Sequence, residues 1–297
     1  MHIVTGAAGF IGSNLVDHLN KNGHDDILLV DNLSIEKTKN IAGLQFVDLI
    51  TPSELLDLDI EESDTVWHMG ANSSTKETNW QIVYANNVAF TRTLIDKCFH
   101  NDFIFASSAS VYGDNRDTNE DPINEAPKNL YATSKLVCDN IIRNSINSGK
   151  IHSWRFFNVY GNRESHKQAI GMGSPYTNFT KQAKDNGVIK IFEGSDKVQR
   201  DFICVDDVVD IMYSVYTALP PYEEKDIICN LGTGNTCTFQ HWAELIANKY
   251  NADIKYIPVP DDLKGIYQMY TCSDNTQLNN LIEYNFTTPD EFVEANL

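Results

Sequence analysis

A glycine-rich turn near the start of this 297-residue chain constrains its fold more than any other feature. Gly6, Gly9 and Gly12 follow a short apolar run and precede a segment whose apolar residues recur at helical spacing. Glycine permits a tight turn between strand and helix and lets a ligand approach the backbone closely. The helix N-terminus then offers free N–H groups and the positive end of a dipole. The turn therefore predicts a site for the pyrophosphate of a dinucleotide.

Short apolar runs alternate with helical stretches through the first half of the chain. The runs cover residues 2–5, 27–31, 45–48, 65–69, 103–107 and 153–157. Several are apolar almost throughout, which is typical of strands buried on both faces. Strands that alternate with helices predict an α/β fold, here a Rossmann-type doubly wound parallel sheet.

The pattern becomes less regular after residue 158, where glycines and prolines become frequent. A helix is expected from Asp206 or Asp207 to about Leu219, a strand near 226–230, a helix near 239–250 and a strand near 254–257. We therefore expect a dinucleotide-binding domain over residues 1–158 plus about 201–230. Residues 159–200 and 231–297 are expected to form a smaller C-terminal substrate-binding lobe.

The chain carries a formal net charge of −18, which argues against nucleic acid or an anionic membrane as a partner. A small anionic substrate would need a local cluster of Arg and Lys. The six cysteines form no C-x-x-C pair and no metal-ligand pattern with histidine, so no metal site is expected. No apolar run approaches the roughly 18 residues of a membrane span. A cytoplasmic location is expected.

Asp31 ends the second apolar run, about 20 residues after the glycine turn, where dinucleotide-binding folds place a ribose-binding carboxylate. A carboxylate that accepts the ribose hydroxyls favours NAD over NADP. Lys37 and Lys39 follow closely and could compensate a 2′-phosphate. The choice between NAD and NADP stays open at this point.

Tyr131 and Lys135 stand four residues apart, which places them on one face of a helix. A neighbouring ammonium is expected to stabilise the phenolate and lower the pKa of the tyrosine. Ser108 follows the run 103–107, and parallel strands deliver catalytic groups at their carboxyl ends. Its hydroxyl could hydrogen-bond a substrate oxygen as that oxygen becomes a carbonyl. The three residues predict redox chemistry at an alcohol carbon.

Together, the glycine turn and the Ser108, Tyr131 and Lys135 trio resemble the extended short-chain dehydrogenase/reductase family, over nearly the whole chain. That family mostly acts on nucleotide sugars and often forms homo-oligomers, so the resemblance implies both. The resemblance also implies a set of cofactor-binding residues, namely Gly6, Gly9, Phe10, Ile11, Gly12, Asp31, Asn32, Lys37, Met69, Gly70, Ala71, Asn72, Ser73, Asn86, Tyr131 and Lys135.

Residues 70–75, 157–161, 163–167, 192–195, 200–202 and 263–268 are similar to the ADP-glycero-manno-heptose 6-epimerases, a branch of that family that makes a lipopolysaccharide precursor. In that branch Lys167 would be a second acid/base beside Tyr131, and Val159 would touch the cofactor. The residues implied to hold substrate are Ser108, Asn158, Lys167, Phe192, Glu193, Gly194, Ser195, Arg200 and Tyr267.

The sequence also departs from that branch. Gly171 and Asn178 replace a substrate-contacting Ser and His, Ile266 replaces an Arg, and a cofactor-contacting Lys near Pro52 is absent. The resemblance implies NADP as the cofactor. These departures leave both the sugar and that cofactor preference open, so a UDP-sugar 4-epimerase stays as an alternative. A 4,6-dehydratase is disfavoured because no Asp-Glu pair follows Ser108. A non-catalytic cofactor-sensing protein is the alternative of another class.

Epimerisation explains why such residues are needed. The C–H bond of a secondary alcohol is too weak an acid for direct proton exchange, so the carbon must be oxidised to a ketone and reduced again on its other face. Reaction on two opposite faces of the carbon requires two acid/base groups, which Tyr131 and Lys167 would supply. Arg163, Lys167, Arg200 and Lys264 are expected to form the cationic cluster, with Arg200 clamping the pyrophosphate. No role is assigned to the neighbouring His166.

Overall fold

The computed structural model describes residues 1–168, 171–218, 226–260 and 268–297. The strands within these ranges are β1 (His2–Thr5), β2 (Ile27–Val30), β3 (Asp48–Ile50), β4 (Thr65–His68), β5 (Asp102–Ser108), β6 (Ile151–Phe156), β7 (Asn158–Tyr160), β8 (Val188–Phe192), β9 (Gln199–Arg200), β10 (Phe202–Cys204), β11 (Asp226–Leu231), β12 (Cys237–Thr238), β13 (Asp253–Ile257) and β14 (Tyr270–Thr271).

The α-helices in the same ranges are α1 (Phe10–Lys21), α2 (Ile35–Ile41), α3 (Pro52–Asp57), α4 (Trp80–Val83), α5 (Phe90–Lys97), α6 (Leu130–Asn144), α7 (Ser165–Gln168), α8 (Pro175–Asn186), α9 (Val205–Ala218), α10 (Phe239–Tyr250), α11 (Thr276–Leu281) and α12 (Pro289–Asn296). A π-helix joins α4 to α5 at Tyr84–Ala89. Short 3-10 helices occupy Ala109–Tyr112 and Pro122–Asn124.

A parallel sheet with the strand order β11-β6-β5-β4-β1-β2-β3 forms the centre of the described chain. This is the dinucleotide-binding order extended by one strand, β11, and it confirms the expected fold class. The order reverses between β1 and β4, which pair in register with Thr5 opposite His68. Ligands of such sheets bind outside the carboxyl ends of the strands at the point of reversal.

Helices cover both faces of the sheet because each presents an apolar stripe to it. On one face, α1 and α9 pack Leu15, Leu19 and Met212 into a core with Trp67 and Trp154. On the other face, α5 and α6 pack against the opposite side chains of β1, β4 and β5. Since both faces are covered, every residue of β2, β4 and β6 is buried, including polar residues such as Ser153 and Arg155.

A separate apolar core forms among α8, α10, α12, β8 and β10, outside the central sheet. Trp242 is its largest buried side chain, and Tyr160, Phe202 and Phe292 pack edge-on against one another or against Trp242. Strands β8 and β13 pair in parallel beside this core. The sequence assigned the segment 201–230 to the dinucleotide-binding domain, but Phe202 and Cys204 of that segment pack in this separate core. The division into two domains therefore stays a prediction.

One predicted strand is wrong. Residues 45–48 were expected to form the third strand, but β3 begins at Asp48, and Val47 has 59% of its surface exposed. Leu29 pairs with Leu49, so the sheet uses the apolar residues that follow Asp48. A short apolar run does not reveal which half of it will pair, since pairing depends on the neighbouring strand. The expected helices and the other strands occur within two residues of their predicted bounds in the described ranges, whereas the third shares only Asp48 with its predicted range.

Candidate active site

The glycines of the turn after β1 are required by close backbone contacts. Gly6 has a φ of +65°, and a Cβ there would lie 2.6 Å from the Cα of Gly70. A Cβ on Gly12 would lie 2.2 Å from the carbonyl oxygen of Gly6. The turn therefore packs against the loop after β4 on one side and against the first turn of α1 on the other. Any side chain at either position would force the two apart.

Helix α1 begins at Phe10 with no side-chain cap, since its N-cap residue is Gly9. The first N–H groups of a helix have no intrahelical partner, and together with the dipole they attract anions. A dinucleotide pyrophosphate fits this turn, because the helix start supplies free N–H donors and the glycines allow the tight backbone packing that presents them. Phe10 is buried and Ile11 half-buried beside this start.

Asp31 lies at the end of β2 and is almost fully buried. One carboxylate oxygen accepts a hydrogen bond from the backbone N–H of Ala8 at 3.0 Å, inside the glycine turn. The other lies 2.7 Å from the Nζ of Lys37. The Lys37 ammonium is thus paired with the carboxylate. Asn32 and Lys39 are exposed.

The loop after β4 crosses the end of β1. The N–H of Met69 donates to the carbonyl of Thr5 at 3.2 Å, and that of Gly70 donates to the Thr5 hydroxyl at 3.1 Å. That hydroxyl also lies 2.6 Å from His68, whose pKa burial lowers to about 3. A neutral His68 therefore fixes the crossing point. Ala71, Asn72 and Ser73 continue from it, and all are at least partly exposed.

Asn87 connects this loop to helix α6. Its amide accepts from the N–H of Asn72 at 2.7 Å and donates to the carbonyl of Asn72 at 3.0 Å and to the Ser134 hydroxyl at 2.9 Å. Asn86, which the sequence singled out, is exposed and donates to the carbonyl of Ile82. Both lie in the π-helix, a distortion that is frequent at functional sites. The sequence of two adjacent asparagines does not show which one is buried. The connecting role of Asn87 was therefore not predicted.

Ser108, Tyr131 and Lys135 meet at the carboxyl edge of the sheet. Ser108 is the last residue of β5, and its hydroxyl accepts from the backbone and side chain of Ser110. Tyr131 and Lys135 lie on the first turns of α6, whose start Asn129 caps. The Lys135 ammonium donates to the carbonyl of Ala106 at 2.5 Å and lies 5.9 Å from the Tyr131 ring centre.

The expected lowering of the tyrosine pKa does not appear in this structure. Burial raises the pKa of Tyr131, and a hydrogen bond with Ser108 opposes this only in part. Burial also lowers the pKa of Lys135 to about 8. The ammonium is turned towards Ala106 and the Phe105 ring, which is 4.5 Å away, and this orientation explains why it does not stabilise the phenolate.

Lys167 lies on α7, with its ammonium 4.8 Å from the centre of the Phe10 ring. A cation over an aromatic face is held by the ring quadrupole. Burial lowers the pKa of Lys167, while the nearby Glu164 carboxylate raises it by a smaller amount. The structure thus places Lys167 against the first residue of α1, beside the glycine turn.

A cavity of about 590 Å³ opens beside α7, between α8 and β8. Ser165 and Gln168, on either side of Lys167 in the sequence, line one end of it, and Phe192, Ser195 and Phe239 line another part. Ser195 is buried and donates to the carbonyl of Phe192 at 2.6 Å. Glu193 and Gly194 are exposed. Asn178, one of the departures noted in the sequence, also lines the cavity, as does Gly173, two residues after Gly171.

Arg200 and Asn158 lie on the short strands β9 and β7, outside the central sheet. The buried Arg200 guanidinium donates to the carbonyls of Gln199 and Gln268. The Asn158 amide donates to the Asp201 carbonyl at 3.0 Å and to the Thr271 hydroxyl at 3.2 Å. Val159 follows on β7 and is half-buried. These contacts order both polar side chains before any ligand binds.

Arg163 does not join the expected cationic cluster. Its guanidinium donates to the carbonyl of Ser13 at 2.8 Å and to the carboxylate of Asp17 at 3.0 Å, both on α1. The ion pair with Asp17 explains the difference, because the charge is satisfied within the protein. Lys264, Ile266 and Tyr267 lie outside the described residues.

Comparison with known proteins agrees with this geometry. Residues 2–232 match the NAD dependent epimerase/dehydratase family. The chain belongs to this family. The family membership and the sheet order together establish a dinucleotide-dependent enzyme fold of the extended short-chain dehydrogenase/reductase type.

Two relatives in the family share about two fifths of their residues with this chain. Both are named ADP-L-glycero-D-manno-heptose-6-epimerase. The one from Alkalilimnicola ehrlichii is 39% identical, over 94% of this chain and 90% of the relative. The one from Brachyspira hyodysenteriae is 40% identical over the same shares.

Solved structures of family members have the same fold. The Helicobacter pylori ADP-L-glycero-D-manno-heptose-6-epimerase superposes with a TM-score of 0.84 at 23% identity, covering 99% of this chain and 93% of that one. The Bacillus cereus UDP-glucuronic acid 4-epimerase, solved with UDP-glucuronic acid and NAD, gives 0.79 at 23% identity, covering 99% and 97%. Among the described residues, no helix is both long and apolar enough to span a membrane.

Proposed function

We propose that this chain is a nucleotide-sugar epimerase that inverts one carbon of ADP-glycero-manno-heptose by transient oxidation, using bound NAD or NADP. One observation carries the proposal. Ser108, Tyr131 and Lys135 stand at the carboxyl edge of the sheet on which the glycine turn also opens. The two relatives at 39% and 40% identity support the choice of sugar.

The dinucleotide would lie across the point of strand reversal. Its pyrophosphate would meet the start of α1 and its adenosine ribose would meet Asp31. Asn32 and Lys37 would lie beside that ribose, and Asn86 and Val159 are proposed as further contacts. When bound, the nicotinamide supplies a hydride acceptor that becomes the hydride donor, so the cofactor ends each cycle unchanged.

The protein's own residues handle the protons. As the substrate hydroxyl becomes a ketone, Ser108 donates a hydrogen bond to its oxygen. Burial raises the pKa of Tyr131 and lowers that of Lys167, so it favours the neutral form of each. A neutral phenol can donate a proton and a neutral amine can accept one. Oxidation would therefore begin with Lys167 as the base, and reduction on the other face would end with Tyr131 as the acid. Lys167 would then release its proton to solvent and Tyr131 would take one up, which restores both groups before the next cycle.

The rest of the substrate would occupy the 590 Å³ cavity. Its size lies in the range of small-molecule sites. The Arg200 guanidinium carries the positive charge that a nucleotide diphosphate requires, and Asn158 would orient the same group. The proposed contacts are Ser108, Asn158, Lys167, Phe192, Glu193, Gly194, Ser195, Arg200 and Tyr267.

The domain division expected from the sequence completes the proposal. Residues 1–158 and about 201–230 would bind the dinucleotide, and residues 159–200 and 231–297 would bind the sugar nucleotide. We further propose that the enzyme acts in the cytoplasm as a homo-oligomer. Size-exclusion chromatography with light scattering tests the assembly, and a monomeric mass at micromolar concentration would contradict it.

An NMR epimerisation assay with a panel of ADP-, UDP- and GDP-sugars tests the function. We expect inversion of ADP-glycero-manno-heptose without net change in cofactor redox state. Inversion of a UDP-sugar alone would replace the proposed substrate and keep the reaction class. Cofactor binding without turnover of any sugar would favour a cofactor-sensing protein, the class that the intact Tyr131 and Lys135 argue against.

A further inference from the structure

The segment that carries Lys167 is anchored to three different helices by the residues before it. Arg163 reaches α1 through Asp17. Glu164 reaches the start of α8, where its carboxylate accepts from the N–H and the hydroxyl of Ser174 at 3.0 and 2.6 Å. His166, to which the sequence gave no role, reaches α2.

The contact of His166 with α2 continues to the glycine turn. The Nδ2 atom of Asn40 lies 3.1 Å from Nδ1 of His166 and 3.0 Å from the carbonyl oxygen of Ala8. Asn40 is 3% exposed, while His166 is half-buried. Ala8 stands between Gly6 and Gly9, so a chain of two hydrogen bonds joins the cofactor turn to the residue before Lys167. We call this chain the Asn40–His166 link.

The chemistry of the link defines the proton positions. The carbonyl of Ala8 can only accept, so the Asn40 atom that faces it must be the amide nitrogen. The same nitrogen faces Nδ1 of His166, which therefore has to accept as well. A histidine accepts at Nδ1 only when it is neutral and carries its proton on Nε2. The link requires this single tautomer.

We propose that His166 and Asn40 are positioning residues that fix Lys167 against the dinucleotide turn, and that protonation of His166 releases Lys167. This inference rests on the proposed function of Lys167 as an acid/base. Lys167 follows His166 directly, and its ammonium lies over Phe10, the residue that begins α1. The link thus joins the glycine turn, which would hold the cofactor, to the segment that carries the base. Both must keep a fixed position relative to each other for the reaction.

The groups around His166 favour its neutral form near neutral pH, and this form keeps both hydrogen bonds of the Asn40–His166 link. Burial lowers the pKa of His166, and the charges of Lys167 on α7 and Lys37 on α2 lower it further. Asp31 on β2 and a hydrogen bond with the backbone of Arg163 act in the opposite direction. Because the lowering causes dominate, the pKa of His166 lies below its usual value, and the neutral form that the link requires is favoured near neutral pH.

Three substitutions of His166 distinguish the effect of the position of its acceptor atom from the effect of side-chain size. His166→Asn keeps an acceptor oxygen close to the place of Nδ1, whereas His166→Gln moves its acceptor towards the place of Nε2, and His166→Ala removes it. A displacement of about 1 Å at a catalytic group can cost roughly 100-fold in rate. We expect kcat to fall about 10- to 100-fold in the Ala and Gln variants and to stay within about threefold in the Asn variant. KM and cofactor affinity should stay within about threefold in all three.

The pH profile gives a second measurement. Wild-type kcat should fall in acid as His166 is protonated, and His166→Asn should lose that part of the acid limb because its amide does not titrate. Equal kcat in the Ala variant and the wild type would overturn the proposal. So would equal losses in the Asn and Gln variants, or an unchanged acid limb in His166→Asn.

A spectroscopic measurement tests the link without any substrate. The ¹⁵N chemical shifts of His166 in the holoenzyme should show Nδ1 unprotonated and Nε2 protonated at pH 7.5, and Asn40→Asp should move the Nδ1 shift. A proton on Nδ1 at that pH would refute the link even in an active enzyme. If the wild type epimerises no sugar while the shifts are as expected, the proposed function fails and the link stands.

Discussion

Gly12 faces Gly6 so closely that a Cβ on Gly12 would come within 2.2 Å of the Gly6 carbonyl oxygen. The third glycine of the turn therefore serves the contact between α1 and the end of β1. The first serves a different contact, with Gly70 after β4. The spacing of the glycines reflects two backbone crossings as well as the approach of a ligand.

Gly12→Ala should destabilise the protein by about 1–3 kcal/mol, since overpacking against backbone forces local shifts. Cofactor affinity should fall with it, because the start of α1 moves. Urea unfolding and a fluorescence titration with NAD and NADP measure the two effects. Gly187→Asn is the matched control, because Gly187 has a φ of +63° with nothing within 4 Å of its Cβ position, and asparagine tolerates that conformation. Equal effects in the two variants would show that the clash is unimportant.

Tyr131→Phe should lower kcat by about 10²- to 10⁴-fold, the range of general acid–base catalysis, and leave cofactor binding intact. The variant loses the phenol oxygen and keeps the ring that fills the site. Single-turnover NMR with the preferred sugar measures the rate, and thermal shift with cofactor measures binding. Full activity in this variant would remove Tyr131 from the mechanism.

Lys135→Met should make the protein more stable at neutral pH while it abolishes turnover. Lys135 is 2% exposed, and burial lowers its pKa from 10.5 to about 8. Because the folded state releases this proton more easily than the unfolded state, stability is reduced below about pH 8 and recovers as the pH rises towards 10.5. The full difference is about 3 kcal/mol, and methionine fills a similar volume without the charge.

Urea unfolding of both proteins from pH 6 to 10 measures this difference. The gap between variant and wild type should be constant below about pH 8 and narrow above it. Lys76→Met, at an exposed lysine, should show no such narrowing. A Lys135→Met protein that is less stable than the wild type at pH 7 would contradict the burial argument.

Arg155→Met should cost about 3–5 kcal/mol, because it leaves a buried carboxylate without its partner. Arg155 and Asp139 are fully buried, with Nε of Arg155 2.9 Å from Asp139. Arg155 also donates to Tyr112 at 2.9 Å and pairs with Glu125. Urea unfolding measures the loss, and the double variant Arg155→Met/Asp139→Leu should recover part of it. No recovery in the double variant would mean that Asp139 is not what makes the single change costly.

Asn87→Ala should lower both stability and kcat, because the variant loses two hydrogen bonds to the loop after β4 and one to α6. The stability cost should be about 1–3 kcal/mol. Asn86→Ala is the neighbouring control, since its exposed amide bonds only the carbonyl of Ile82 among the described residues. A rise in the cofactor Kd of the Asn86 variant, with normal stability, would support the contact proposed for that residue.

The residues that carry chemistry were readable because their signals are local. The glycine turn, Ser108 after a strand, and Tyr131 four residues before Lys135 each depend on neighbours in sequence, and the structure brings them to one edge of the sheet. The resemblance extended this to Lys167, which lies beside the turn.

Residues whose roles depend on partners far along the chain were misread or missed. Arg163 pairs with Asp17 instead of joining a cationic cluster, and Asn87, rather than Asn86, is the buried member of its pair. Asn40 and His166 are 126 positions apart. The third strand was misplaced because its register is set by β2.

The sequence by itself determined the class of fold, the dinucleotide turn and the Ser-Tyr-Lys trio. These follow from periodicity and spacing, which short-range sterics and hydrogen bonding impose on any chain. Tertiary structure alone decided which polar side chains are buried, which charges are already paired, and that the Lys135 ammonium turns from Tyr131 towards Ala106. The reason is physical, since burial and pairing set the pKa values, and both depend on segments that meet only after folding.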